Sequence, residues 1–134
     1  MTMSVSDEGF LEEVSRRVSA YDIRNVGSDQ EIMYNPVKHR KAAVLLPITI
    51  KDGELSILLT KRSKNLRTHP STVAFPGGMR DENDESDVDA ALREAEEEIG
   101  LPPSAVKVLG ILTLGVTLPY NIVYPVVGVI PQDF

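Results

Sequence analysis

The stretch from Gly77 to Leu101, GGMRDENDESDVDAALREAEEEIGL, decides how this chain is read. Its second half predicts a helix from Asp87 to Ile99. Ser86 or Asp87 can cap the start, and an acidic first turn suits the positive end of the helix dipole. Gly100 can end the helix in the left-handed conformation, and Pro102-Pro103 bars its continuation. Val88, Ala91, Leu92, Ala95 and Ile99 recur at spacings of three and four, an apolar stripe that packs on a sheet. Glu94, Glu97 and Glu98 stand at i, i+3 and i+4 on a second face. Three carboxylates held so close repel one another unless something offsets their charge. A divalent cation with oxygen ligands, Mg²⁺ or Mn²⁺, would do so. The plainer alternative is a solvated acidic face on which Arg93 pairs with Glu97.

The charge of the chain is concentrated in the same place. From Asp81 to Glu98 there are ten acidic residues and one basic one, a local charge of −9, whereas the remainder carries ten acidic and thirteen basic residues, +3. Acidity is thus a local device, and duplex nucleic acid, which needs a basic footprint, is excluded as a partner. The 134 residues, 42% hydrophobic and 25% charged, are one globular domain's worth of chain. There is no cysteine, so disulfides, thiolate metal sites and a cysteine nucleophile are excluded. The two histidines, His39 and His69, are too few for a histidine-rich zinc site. No apolar run approaches the ~20 residues of a membrane span, and the N-terminus lacks the pattern of a secretory signal. The expectation is a soluble, intracellular protein.

Outward from the helix, Ser6 to Tyr21 reads as an amphipathic helix capped by Ser6 or Asp7, and Gly27 to Pro36 as a loop. Ala42 to Ile50 and Glu54 to Thr60 read as an antiparallel hairpin around the turn Lys51-Asp52-Gly53. Thr72 to Phe75 is expected as a short strand stopped by Pro76-Gly77-Gly78. Val106 to Leu114 and Ile122 to Ile130 complete the strands, with Pro125 implying an edge or a bulge. Lys61, Arg62, Lys64, Arg67 and His69 lie within nine residues. Guanidinium forks suit phosphate oxygens, although a basic loop that merely balances the acidic one gives the same composition. Pro76-Gly77-Gly78 is either a turn or a place where backbone closely approaches a ligand.

Taken together, these residues resemble the Nudix box: a glycine, a loop with an acidic residue, then Arg-Glu, an apolar residue, any residue, Glu-Glu, any residue, glycine and an apolar residue. Arg93 to Leu101 match the second half completely. The first half is one residue longer than the general box, leaving Asp84 and Glu85 as two candidates for the loop acid. Leu58-Leu59-Thr60-Lys61-Arg62-Ser63, Arg67 and Phe75-Pro76-Gly77-Gly78 resemble the additional signature of the coenzyme A diphosphatase branch, in which the enlarged loop with an aspartate at Asp84 is expected. One position departs, with Ser71 where that signature has glycine.

The resemblance implies an α/β Nudix fold, an α/β/α sandwich with a mixed sheet. Residues 39–134 would form the hydrolase domain and 1–38 an N-terminal helix and lead-in. It implies metal-dependent hydrolysis of the diphosphate of coenzyme A or acyl-CoA to 3′,5′-ADP and 4′-phosphopantetheine or its acyl form. The alternatives are a Nudix hydrolase of another nucleoside diphosphate derivative and a catalytically weak Nudix-like binding protein. Gly78 through its carbonyl, Glu94, Glu97 and Glu98 would hold Mg²⁺ or Mn²⁺. Glu97, Glu98 and Arg93 would serve catalysis, Arg93 by orienting the glutamates. Lys61, Arg62 and Arg67 would bind substrate phosphate. The location implied is peroxisomal or cytoplasmic, with no Ser-Lys-Leu address at the C-terminus. The family's usual C-terminal helix has no counterpart after Pro131. The apolar run Ile122 to Ile130 is therefore expected to leave one face bare unless the N-terminal helix or a partner covers it.

Overall fold

The computed structural model describes residues 3–26, 40–61, 73–112, 115–117 and 121–134. Its centre is a parallel pair of long strands, β1 (Arg40–Lys51) and β8 (Asn121–Val129), in register from Arg40 opposite Asn121 to Ile48 opposite Val129. On its other side β1 pairs antiparallel with β2 (Glu54–Ile57) and, nearer its start, with β5 (Gly77–Met79). On its other side β8 pairs antiparallel with β6 (Lys107–Ile111) and β7 (Gly115–Thr117). The result is a mixed six-stranded sheet, and β3 (Thr60–Lys61) and β4 (Val73–Ala74) form a separate two-stranded ladder.

Alternation along the central strands sends successive side chains to opposite faces. Ala43 and Leu45 of β1 and Ile122, Tyr124 and Val126 of β8 meet Ala90, Ala91 and Ala95 of α3 (Asp87–Ile99) in one buried cluster. Ile48, Val127 and Val129 form a second cluster under Leu11, Val14 and Val18 of α1 (Val5–Tyr21). The sheet therefore lies between two helices, the α/β/α sandwich with a mixed sheet that the resemblance implies. Of the face expected to be bare on the last apolar run, α1 covers Val127 and Val129, whereas Val123 and Pro125 stay half-buried. A short helix α2 (Ile23–Val26) follows α1. Among the described residues, no helix is long and apolar enough to cross a membrane.

Several sequence expectations are corrected by hydrogen-bond geometry. Both residues of the first hairpin turn adopt positive φ, 53° at Asp52 and 77° at Gly53, the twist a two-residue hairpin requires. The returning strand stops at Ile57 instead of running to Thr60. Pro47 accepts from the Leu58 N–H (2.9 Å) but has no N–H to return, so the ladder ends there. The short strand expected before Pro76 is β4, which ends at Ala74; Gly77 and Gly78 then go beyond the expected turn and form a further strand, opposite Val44 and Ala43. Pro125 is not at an edge. It sits in a central strand where β6 gives way to β7, and its carbonyl accepts from the Leu112 N–H (2.9 Å).

The N-cap of α1 is Ser4, whose hydroxyl accepts from the Asp7 N–H (3.1 Å), in place of Ser6 or Asp7. Asp7 is instead buried and accepts from the N–H groups of Asp52 (3.0 Å) and Gly53 (2.8 Å), fastening α1 to the hairpin turn. Asp22, also buried, accepts from the N–H groups of Ile111 (3.2 Å) and Arg24 (2.9 Å) and pairs with the Arg24 guanidinium. The Gly53 amide chiefly holds the Asp7 carboxyl below its ordinary range, and Arg24 does the same for Asp22. Such depressed carboxyls stabilise the fold fully above their ordinary titration range near pH ~4. That stability is lost as pH falls through the lowered values. Asp22→Ala leaves the Ile111 N–H without its acceptor and is expected to cost about 1–3 kcal/mol. Thermal unfolding from about pH 6 to pH 2 should show a smaller acid loss in this variant than in the parent protein.

Candidate active site

Helix α3 is framed as its sequence predicts. The Ser86 hydroxyl accepts from the Asp89 N–H (3.1 Å), and Gly100 closes the helix at φ 70°. The three fully buried alanines, Ala90, Ala91 and Ala95, let the helix axis approach the sheet closely. This closeness brings the glutamate face against β5. The carboxylate of half-buried Glu94 occupies the space a side chain at Gly78 would need: a Cβ there would lie 2.7 Å from its Cδ. Glu98 reaches back to accept from the Gly77 N–H (3.2 Å).

Arg93 sits at the junction of helix, loop and strand. Its Nε and Nη2 donate to the two oxygens of Asp84, each at 2.9 Å, a two-pronged pair. Its Nη1 donates to Glu94 (2.9 Å) and, at 3.3 Å, to Glu97; Nη2 also reaches the Met79 carbonyl (3.2 Å). The arginine thus ties the acidic loop to β5 and to two of the three glutamates. Its guanidinium holds the Asp84 carboxyl below the usual range, and Asp84 in turn makes Arg93 harder to deprotonate. The loop itself is folded on Asp84, which accepts from the Asp81 N–H (2.7 Å), and Arg80 pairs with Asp87 (3.0 Å).

Of the two candidate loop acids, Asp84 faces the site and Glu85 is exposed. The i, i+4 pairing of Arg93 with Glu97 occurs as the spacing suggested. Glu94, Glu97 and Glu98 lie on one helix face beside Gly77-Gly78. Among the described residues, however, no three acidic or imidazole side chains converge as a ready metal cage. Arg93 draws Glu94 and Glu97 towards itself while Glu98 bonds the Gly77 amide. Lys61 is an exposed residue of β3. Arg62 and Arg67, with Lys64, His69 and Ser71, lie outside the described residues.

The donor set suits a hard divalent cation: carboxylate oxygens, one of them pressed into the space left by an absent Cβ, beside backbone carbonyls. The register allows only part of the Gly78 carbonyl for this purpose. Leu45 N–H bonds to Pro76 and Arg80 N–H to Lys41, so by antiparallel alternation Gly78 faces Ala43 in the same ladder. That leaves a second lone pair for a ligand. The Asp84–Arg93 clasp and the strand character of Gly77-Gly78 were not evident from spacing. The one available signal was the extra loop residue before Arg93.

The chain is similar to known proteins in sequence and in fold. Residues 38–126 match the Nudix domain family. The "Uncharacterized Nudix hydrolase NudL" of Shigella flexneri serotype 5b (strain 8401) is 50% identical over 103 residues, 77% of this chain and 53% of that protein. The chain therefore spans about half the length of the curated relatives it matches. Among solved structures, the Ap4A hydrolase of C. elegans is similar with a TM-score of 0.56 and 21% identity, covering 71% of each chain. The MutT protein of Methanosarcina mazei Go1 is similar with a TM-score of 0.52 and 26% identity, over 69% of this chain and 63% of that one. Sequence match, fold and glutamate helix agree: the chain belongs to the Nudix family.

Proposed function

We propose that residues 39–134 carry the hydrolytic core of a metal-dependent diphosphatase acting on coenzyme A or acyl-CoA, with the N-terminal helix as its support. The observation that carries the reading is the glutamate face of α3 set against Gly77-Gly78 and tied by Arg93 to Asp84. A diphosphate resists water because its negative oxygens repel a nucleophile. Glu94, Glu97 and Glu98, with the Gly78 carbonyl, would hold Mg²⁺ or Mn²⁺, which offsets that charge and lowers the pKa of an attacking water. Glu97 and Glu98 are the exposed members of the set and can accept a proton from that water. Arg93, saturated by protein acceptors, positions the glutamates and does not bind substrate. Lys61, Arg62 and Arg67 would hold the substrate phosphates.

The choice of coenzyme A rests on the second signature, Leu58 to Ser63 with Arg67 and Phe75 to Gly78. The enlarged loop supports it, because the added residue still places Asp84 on Arg93. The test is a panel of coenzyme A, acyl-CoA, ADP-ribose and dinucleoside polyphosphates with Mg²⁺ or Mn²⁺, products separated by chromatography. Release of 3′,5′-ADP and phosphopantetheine from coenzyme A at the highest kcat/KM supports the reading. Preference for another substrate replaces it with a different diphosphatase, and metal-dependent binding without turnover with a binding protein.

Arg62→Ala and Arg67→Ala are expected to raise KM about tenfold, as loss of one charge-assisted bond does, and to leave Mn²⁺ affinity unchanged. Separate titrations of metal and substrate on each variant check this. A fall in metal affinity with an unmoved KM would remove the phosphate role.

A further inference from the structure

The two outer strands of the mixed sheet are finished differently. At one edge, β6 begins with an exposed lysine, Lys107, and shifts register between Val108 and Gly110. A charge and a bulge are means by which a sheet edge is kept from pairing with another chain. At the opposite edge β2 has no such break. Its register against β1 is continuous, and its one charged residue, Glu54, stands beside the turn. Every residue of β2 is exposed, the aliphatic Leu55 at 41% and Ile57 at 50%.

The backbone of these two residues is open as well. The Leu58 N–H bonds to Pro47 of β1, so by antiparallel alternation Ser56 and Glu54 also turn their N–H and C=O groups to β1. Leu55 and Ile57 point theirs outward, and among the described residues no strand pairs with that side of β2. Their side chains lie opposite Ile50 and Ile48, on the face of the sheet that carries α1.

We infer that two copies of this chain join antiparallel along β2, about a two-fold axis at Ser56, into one continuous sheet. The strand is self-complementary in that register. Leu55 lies opposite the partner subunit's Ile57, and Ile57 opposite the partner subunit's Leu55. These are the residues with open N–H and C=O groups, so each pair exchanges both of its hydrogen bonds and sets aliphatic side chains against one another. Glu54 falls opposite the partner subunit's Leu58, which keeps the two glutamates ~13 Å apart along the strands, and no like charges face each other. Ser56 meets its own copy at a position without hydrogen bonds, where Cα atoms approach to ~4.5 Å and a small side chain fits. An isologous contact of this kind closes at two copies. Ser56 pairs with Thr49, ~20 Å along β1 from Ala43, the partner of Gly78, so both glutamate faces stay open.

Sedimentation of the full chain from about 10 µM to about 1 mM is expected to show a reversible monomer–dimer equilibrium, as a small interface gives. Ser56→Lys puts like charges directly opposite and should weaken the dimer about tenfold or more, and Ser56→Asp should do the same. A mixture of these two variants should dimerise again, because opposite charges then meet at the axis. Ser56 is exposed and belongs to neither core cluster, so both variants should melt close to the parent protein. Disulfide trapping fixes the register. The chain has no cysteine, so Ser56→Cys carries a single thiol, and ~4.5 Å between Cα atoms is within reach of a disulfide. Mild oxidation should link Ser56→Cys into a covalent dimer and leave Glu54→Cys unlinked. A parent protein that stays monomeric throughout, a dimer that survives both charge variants, a mixture that does not dimerise, or equal linking of the two cysteine variants would overturn the inference.

Discussion

Glu98→Gln is expected to lower turnover on the order of 10²- to 10⁴-fold while unfolding at nearly the same temperature as the parent protein. The carboxylate is exposed and lies off the packing stripe, so no core contact is lost. It accepts from the Gly77 N–H, and a glutamine oxygen can accept there as well. What the substitution removes is a full negative charge on the face proposed to hold the metal. The loss should therefore fall on kcat with a modest change in KM, the pattern of a group that acts mainly in the transition state. Circular dichroism and thermal melts establish folding, and initial rates with Mg²⁺ and Mn²⁺ establish activity. A folded Glu98→Gln protein with parental turnover would remove the glutamate face from the reaction.

Helix α3 was fully legible in the sequence because local signals agreed: Ser86 as cap, a stripe at helical period, Gly100 as terminator. The observed bounds, Asp87–Ile99, are those predicted. Elements whose shape depends on a distant partner were less legible. Gly77-Gly78 has the composition of a turn, and only the close approach of Val44 on one side and Glu94 on the other explains why glycines form a strand there. Pro125 carries a local edge signal that is overridden because its missing N–H falls at the break between two neighbouring strands. Asp7 and Asp22 look like ordinary surface acids of a polar helix. Their work is to accept backbone N–H groups 45 and 89 residues away, and no spacing rule finds such pairs.

The candidate site divides along the same line. Three glutamates at i, i+3 and i+4 announce themselves. The acid that orients their arginine is less plain, since the box spacing leaves the adjacent Asp84 and Glu85 open and only the branch signature points to Asp84. The loop's fold decides between them: the Asp81 N–H bonds to Asp84, which turns that side chain inward onto Arg93 and leaves Glu85 outside. One guanidinium then satisfies three carboxylates at once, which lets ten acids crowd into eighteen residues without unfolding the loop.

The adjacent glycines are expected to fail in opposite ways, and the contrast tests whether Glu94 belongs to the reacting centre. At Gly77 an added Cβ would meet the Ala43 oxygen at 2.5 Å and the Val44 Cα at 2.7 Å, both backbone atoms of the central strand. Neither can move without breaking the β1–β5 ladder, so Gly77→Ala should cost about 1–3 kcal/mol in stability. At Gly78 the three atoms nearest the Cβ all belong to the Glu94 carboxylate, at 2.7–2.9 Å, the far end of a flexible side chain. That carboxylate can swing aside, and the fold survives. In doing so it leaves the place where it faces Glu98 and the strand, and its bond to Arg93 lengthens or breaks. Gly78→Ala should therefore melt close to the parent protein yet lose roughly 10- to 100-fold in Mn²⁺ affinity and activity, the usual effect of misplacing a metal-site group. Denaturant melts and Mn²⁺ titration of the two variants separate the effects. If Gly78→Ala binds Mn²⁺ as the parent does, the Glu94 carboxylate is not a ligand, and the glutamate face must act through Glu97 and Glu98 alone.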